Sequence, residues 1–291
     1  MKLLIVDAFT QTIFGGNPAG IAILREDEDF PAYDIMRKIA AELGYSETAF
    51  IKQLGPKEFH IRYFTPTMEV DLCGHVTIAS FVALLNLGLI EDNSVYVNHT
   101  LAGDLNIEVD NGFVMMDMAT PVEIATIDEI PDLTELYEIM GTSYDPASIR
   151  LLPKIISTGL PDIMMPVATR ADLDEIDPDM KALSALSKRY DVVGVHAFTL
   201  EAEDGITAYV RNFAPRYNIN EEAATGTANG ALTYYLHLHN LIAPNGKCRM
   251  RQGEKMDRPS TIVTEIKTTD EGCLIKVGGS AKIVLQGEIE V

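Results

Sequence analysis

RYFTPTMEVDLCGHVTIAS, residues 62–80, is answered further along the chain by RNFAPRYNINEEAATGTAN, residues 211–229. Arg62, Phe64, Pro66 and Ala79 recur as Arg211, Phe213, Pro215 and Ala228 at one separation, 211 − 62 = 149, with Val70 answered by Ile219. An apolar run follows each stretch, VTIASFVALLNL at 76–87 and ANGALTYYLHL at 228–238. Each is long enough for about three helical turns. Both copies therefore read as strand, loop, buried helix. The first helix is apolar nearly all round, the pattern of a helix enclosed on every side. Strand-like runs at 59–64, 94–98, 105–109 and 113–118, joined by short turns, predict a strongly curved, barrel-like sheet wrapped about it. The expectation is an α/β (α+β) chain of two pseudo-symmetric domains, 1–118 completed by a strand at 281–291, and 119–280. The join is placed at 119–131, which holds two prolines.

The residues before each helix are small or polar: Cys73, Gly74 and His75 in the first copy, Thr225, Gly226 and Thr227 in the second. Helix starts offer unpaired amide donors and the positive end of the dipole. Two such starts facing each other across a pseudo-twofold axis make an anion-binding cleft; taken singly, each is an ordinary strand-to-helix connection. Asn17, between Gly16 and Pro18, reads either as an amide facing a cleft or as a turn residue bonding its own backbone. Glu47 lies between a helix ended by Gly44 and an apolar run. It reads as a solvated glutamate or as a carboxylate held by the Ser46 and Thr48 hydroxyls. In the second half, 195–200 stands where 46–51 stood, with His196 or a neighbour in place of Glu47, so the halves are chemically unequal.

A net charge of −20 over 291 residues, with no basic run, argues against nucleic acid and against anionic membranes as partners. The opening MKLLIVDAFT reads as a first strand rather than a leader, and no stretch approaches the roughly 18 apolar residues of a membrane helix. Cys73, Cys248 and Cys273 are odd in number and widely spaced, which fits reduced thiols in a cytoplasm. His237 and His239 sit two apart, on different faces of a helix, and no metal is expected.

Assembled in order, Asp7-Ala8-Phe9, Gly16-Asn17-Pro18, Ser46-Glu47-Thr48, Phe64-Thr65-Pro66, Gly74-His75 and Glu222 through Thr227 resemble the phenazine-biosynthesis isomerase (PhzF-like) family of the diaminopimelate epimerase superfamily. Gln252-Gly253 and Arg258-Pro259-Ser260 fit as well. The resemblance implies two alike domains with the active site between them, often a homodimer, and proton transfer on a small anionic metabolite without a cofactor. It makes Glu47 the general acid/base, with His75 and Glu222 lining the site. Many relatives carry aspartate at Glu222 and serine at Thr227. Two-thiol epimerases of the superfamily match only at Cys73, since Ala223 or a close neighbour fills the second thiol's place. Three functions remain open: an isomerase, a racemase or dehydratase with Cys73 as base, and a binding protein without turnover. Cys73 also reads simply as a small buried hydrophobe.

Overall fold

The computed structural model describes residues 1–270 and 272–290; the expected last strand ends at Val291, outside the described residues. The chain divides into two compact units, Met1–Asp117 with Gly278–Val291, and Met118–Val277.

The first unit runs β1 (Lys2–Ala8), β2 (Asn17–Ile23), α1 (Tyr33–Leu43), β3 (Thr48–Gly55), β4 (Glu58–Phe64), β5 (Glu69–Val70), α2 (Gly74–Asn86), β6 (Ser94–Thr100), β7 (Gly103–Asp110) and β8 (Phe113–Asp117). Its sheet is closed on one side by the late strand β18 (Ala281–Glu288), antiparallel to β1. From β1 the pairing is antiparallel to β2, parallel to β3, antiparallel to β4, then both antiparallel to β5 and parallel to β6, and antiparallel on to β7 and β8. Helix α2 packs against β1, β2, β3, β8 and β18, and every residue from His75 to Leu84 is buried. That enclosure explains a helix with no polar face. Phe81 on α2 meets Phe59 and Tyr96 at ring-centroid distances of 5.6 and 6.0 Å, fixing the helix in the sheet's concavity.

Helix α1 packs on the other layer through Met36, Ile39 and Ala40, against Phe50 and Phe64 among others. It ends where the sequence places the stop, at Gly44 with φ +70°, whose N–H bonds Ala40 O. A Cβ built on Gly44 meets nothing within 4 Å, so only the backbone conformation resists a side chain there. Gly44→Ala should therefore cost about 1–2 kcal/mol in a chemical-denaturation curve, and Gly44→Asn less, because asparagine tolerates the left-handed region.

The second unit runs β9 (Val122–Thr126), α3 (Ile130–Ile139), β10 (Lys154–Ser157), β11 (Pro161–Pro166), α4 (Arg170–Glu175), α5 (Met180–Tyr190), β12 (Val195–Thr199), β13 (Ala208–Ala214), β14 (Ile219–Glu222), α6 (Gly226–Leu238), β15 (Lys247–Gln252) and β16 (Ser260–Thr269), with β17 (Gly272–Gly279) crossing the 277/278 division. The segment 119–131, read from sequence as the domain boundary, holds β9 and the start of α3. From β10 the pairing is antiparallel to β11, parallel to β12, antiparallel to β13, then both antiparallel to β14 and parallel to β15, and antiparallel on to β16. This is the order found from β1 to β7. Helix α6 occupies the place of α2, packing against β10, β11 and β16.

The repeat is real, but its spacing is not constant. Arg62 on β4 forms a two-pronged ion pair with Glu69, and Arg211 on β13 does so with Glu221. The arginines stand 149 apart, whereas the acids stand 221 − 69 = 152 apart, and so do the helix starts, 226 − 74 = 152. Three residues have entered after β13, where Pro215–Tyr217 forms a 3-10 turn closed by Asn218 at φ +61°. The pairings of Val70 with Ile219 and of Ala79 with Ala228 are thus coincidences of an ungapped alignment. Gly74 corresponds to Gly226, Cys73 to Thr225 and Val70 to Glu222.

Candidate active site

In the first unit, the end of β5, the loop after it and the start of α2 place Cys73 and His75 beside Glu47, which immediately precedes β3. His75 is 4% exposed. Its Nδ1 lies 3.3 Å from Cys73 Sγ and its Nε2 3.6 Å from Glu47 Oε2. The second distance is beyond hydrogen-bond range, and both atoms are buried without a hydrogen-bond partner among the described residues. Burial lowers the His75 pKa, and the nearby Glu47 carboxylate opposes that only partly. The ring is therefore the neutral form near neutrality, with one N–H and one lone pair on opposite edges. Such a ring can donate at one edge and accept at the other.

Thiolate, imidazole and carboxylate are all metal ligands, and these three groups have donor atoms within 4.8 Å of one another. Cys73 and Glu47 approach different nitrogens of the ring, Nδ1 and Nε2. The three groups form a row, Glu47–His75–Cys73, with a 3.3 Å approach on one side of the ring and a 3.6 Å gap on the other. The Ser46 and Thr48 hydroxyls do not supply the expected support: Thr48 Oγ1 is buried without a partner, turned toward Gly20, where an added Cβ would lie 2.6 Å away. Room is left beside Gly74, whose own added Cβ meets nothing nearer than Met116 Sδ at 4.0 Å. No side chain caps the start of α2. Asn17 opens β2 opposite Ala8, buried, and is not one of these three groups. Its neighbour Gly16 explains that motif sterically, since at φ +64° an added Cβ would lie 2.0 Å from Ala8 O.

In the second unit the start of α6 is held by a buried amide chain. Asn212 Nδ2 bonds His196 Nδ1 at 3.2 Å; Asn229 Nδ2 donates to Gln252 Oε1, which also accepts from Thr225 N. Gln252 Nε2 in turn donates to Glu222 O and Thr225 Oγ1, and Thr225 Oγ1 donates to Glu222 Oε2 at 2.6 Å. Glu222 and Thr225 are thus brought together, with Gly226 and Thr227 opening the helix. Thr227 O accepts from Thr158. Gly253 at φ +80° lets the chain approach Ala223, where a Cβ would come within 2.6 Å of Ala223 O, and Ser260 donates to that same carbonyl. The Gln252-Gly253 and Ser260 motif is the buttress of Glu222.

His196 does not replace Glu47. β3 pairs Phe50 with Arg62, and β12 pairs Ala197 with Arg211, so Glu47 corresponds to Gly194. A side chain cannot stand there, because a Cβ would lie 1.8 Å from Phe213 O. His196 is fully buried, and desolvation drives its pKa down to about 3 despite Asn229 beside it. It is a neutral structural ring. Asp162, Asn229 and Gln252 were not read from the sequence as site residues. Asn229, an amide in an apolar helix four residues after Thr225, carried the available signal.

A family model described as phenazine biosynthesis-like protein, PhzC-PhzF, matches residues 6–287. An uncharacterized isomerase of Clostridium acetobutylicum is 32% identical over 298 residues, spanning 99% of this chain and 97% of that protein. The uncharacterized isomerase YddE of Escherichia coli K12 is 32% identical over 296 residues, spanning 97% of this chain and 96% of its own. Among solved structures, a PhzF-family phenazine biosynthesis protein of Bacillus anthracis shares 26% identity at a TM-score of 0.87, covering 100% of this chain and 99% of its own. A hydroxyproline epimerase of Agrobacterium vitis shares the fold alone, at 15% identity and a TM-score of 0.63, covering 99% of this chain and 90% of its own. The mixed α/β fold expected from the sequence is the fold of these neighbours.

Proposed function

This chain belongs to the PhzC-PhzF family of phenazine biosynthesis-like proteins and is an isomerase, and we propose that it moves a proton on a small carboxylate-bearing metabolite by general acid/base catalysis without a cofactor. The observation that carries this reading is the row Glu47–His75–Cys73, which we read as a proton relay, with a buried neutral imidazole between a carboxylate and a thiol. Glu47 takes the proton from carbon and returns it. His75 accepts or orients it, and Glu222, hydrogen-bonded by Thr225, is the third titratable group. The amides at the starts of α2 and α6, around Gly74 and around Thr225, Gly226 and Thr227, are proposed as seats for the substrate's carboxylate and for developing negative charge, with Asn17 as a further binding residue. Cys73, Cys248 and Cys273 form no disulfide, which supports a reducing compartment such as the cytoplasm. No helix among the described residues is long and apolar enough to cross a membrane. The family likeness supports a homodimer, which sedimentation of the purified protein checks.

One contact favours a second reading, in which Cys73 is the base of a racemase or dehydratase: its sulfur lies against His75 Nδ1. The test begins with a thermal-shift screen of small carboxylates, since a ligand bound only to the folded state raises Tm. Each hit is then incubated with enzyme in D₂O. Deuterium entering a carbon position supports proton transfer; tight binding with no exchange and no conversion leaves a binding protein. Cys73→Ala should slow exchange far less than any change at Glu47. If exchange vanishes in Cys73→Ala and survives in Glu47→Gln, the thiol reading replaces the first.

A further inference from the structure

Besides the row Glu47–His75–Cys73, the first unit carries a buried polar chain that the scheme above does not use. Asn98 on β6 donates through Nδ2 to the Tyr63 hydroxyl on β4 at 2.8 Å. That hydroxyl lies 2.7 Å from Thr77 Oγ1 on α2, and Thr77 Oγ1 donates to Cys73 O at 2.8 Å, the same carbonyl that accepts from Thr77 N at 3.0 Å. Asn98, Tyr63 and Thr77 are each 0% exposed. The direction of every bond is fixed. The Thr77 hydroxyl hydrogen is committed to a carbonyl, which only accepts, so Thr77 Oγ1 takes its second bond from the Tyr63 O–H, and Tyr63 in turn accepts from the Asn98 amide. Burial pushes the Tyr63 phenol up from its ordinary value, which keeps the donating proton in place.

Such a chain is costly in a core. Asn98 Oδ1 is buried with no hydrogen-bond partner among the described residues, a penalty that an apolar residue at this place avoids. A threonine bonding the carbonyl four residues back is common by itself, but that habit does not call for a tyrosine and an asparagine from two strands lined up behind the bond. The second unit repeats the device with other residues. Thr225 corresponds to Cys73, and Asn229, the fourth residue after it as Thr77 is the fourth after Cys73, donates to Thr225 O at 2.8 Å and to Gln252 Oε1 at 2.9 Å. The corresponding carbonyl is thus secured in both units, by hydroxyls in one and by amides in the other, and its position is what the two arrangements have in common. We propose that Tyr63 and Thr77 are positioning residues of the proton-transfer site: by tying Cys73 O to β4 and β6 they set where the Cys73 thiol and the His75 ring stand relative to Glu47. This rests on the proton-transfer reading of that row. The setting matters because the row is not closed. His75 Nε2 stands 3.6 Å from Glu47 Oε2, beyond hydrogen-bond range, and a small movement of the start of α2 closes or widens that gap.

Removing both ends of the first bond separates stability from positioning. Tyr63→Phe leaves the Asn98 amide without an acceptor, and Asn98→Leu in the same chain takes that stranded amide away, so the double variant should recover Tm lost by Tyr63→Phe. It should not recover the placement of His75, because Thr77 still lacks its donor. Recovery of Tm together with a wild-type His75 environment traces the whole effect to stability and contradicts the proposal.

The experiment takes two readings on the full-length protein. One is the ring-nitrogen chemical shifts of His75, by long-range ¹H–¹⁵N NMR with no added ligand. The other is deuterium exchange at saturation with whichever carboxylate of the thermal-shift screen exchanges in the wild type. Thr77→Val keeps the shape of the side chain without its hydroxyl, Tyr63→Phe removes the donor behind it, and Thr77→Ser keeps the hydroxyl. In Thr77→Val and Tyr63→Phe the His75 shifts should move, and exchange should fall roughly 10- to 100-fold, the scale of a misplacement of about 1 Å, while affinity read from the ligand's effect on Tm stays within about threefold. Thr77→Ser should match the wild type in both readings. Should Thr77→Val not fold, Tyr63→Phe, whose ring fills the same space, decides by the same readings. Unmoved His75 shifts and undiminished exchange in both variants, with Tm alone lowered, overturn the proposal, and so does a Thr77→Ser protein as impaired as Thr77→Val. Moved His75 shifts together with undiminished exchange in Glu47→Gln support the positioning and overturn the proton-transfer reading instead.

Discussion

Glu47→Gln should slow deuterium exchange into substrate carbon by roughly 10²- to 10⁴-fold, the usual contribution of a positioned acid/base group, while leaving ligand binding nearly intact. The amide keeps the length and hydrogen-bonding reach of the acid, so the His75 contact at 3.6 Å survives sterically and only the exchangeable proton is lost. Glu47 is suited to the part by position. Its side chain is 17% exposed, enough to meet a ligand, yet its Oε2 is buried and directed at an imidazole that solvent barely reaches. Nor can the second unit replace it, because the corresponding place is Gly194, where a side chain would collide with Phe213 O. The measurement is the exchange rate at saturating ligand, with affinity taken separately from the ligand's effect on Tm. A Glu47→Gln protein that exchanges within threefold of wild type removes Glu47 from the mechanism.

The largest loss of stability is expected from Arg211→Ala. Arg211 is 8% exposed and does three things at once: it forks onto Glu221 with two bonds of 2.8 Å, donates to Leu173 O and Ile176 O at the end of α4, and lies over the Phe213 ring at 4.9 Å. Truncation leaves Glu221 mostly buried without a counter-charge and strips two helix-end carbonyls of their donor. Breaking a buried pair from one side costs about 3–5 kcal/mol, which in a unit of this size lowers Tm by roughly 10 °C. Arg62→Ala is the internal control. Its side chain is 23% exposed, and its bonds run to Glu69 rather than to helix-end carbonyls, so its loss should be smaller. Removing both partners, as Arg211→Met with Glu221→Leu, should recover much of the deficit, since no unpaired charge is left behind. Equal Tm losses for the two arginines would contradict this account.

The duplicated plan was legible because enclosure of α2 and α6 leaves a nearly all-apolar helix behind a short polar turn, and that pattern survives in sequence. Glycine at position 44 announced a helix end because a left-handed residue is required there. The register of the repeat was not legible. The extra turn at Pro215–Tyr217 hides inside a stretch whose arginine, phenylalanine and proline still match without a gap. The ion-pair partners, Glu69 and Glu221, mark the slip, and they are recognisable only once the strands are paired. Among site residues, Cys73 and His75 lie two apart in the chain, so their grouping could be read, whereas their meeting with Glu47 needs three-dimensional packing. Asp162 was hidden for a different reason. In STGLPDI it looks like a turn aspartate on the way to solvent, and only the burial of β11 turns it into an acid that must keep a proton or find a partner.

The strand β18 has a consequence for the order of synthesis. The second unit is one uninterrupted segment, 118–277, complete while the rest of the chain is still being made. The first unit is opened by β1 and closed by β18, paired from Lys2 with Glu288 to Ala8 with Ala281, so its sheet waits for residues translated after the whole second unit. Until they emerge from the ribosome, β1 is paired on the β2 side alone and its other edge is open to a wrong partner. The half that carries Glu47 and His75 is opened before the second unit and closed after it, so its sheet cannot be completed until the second unit has been made.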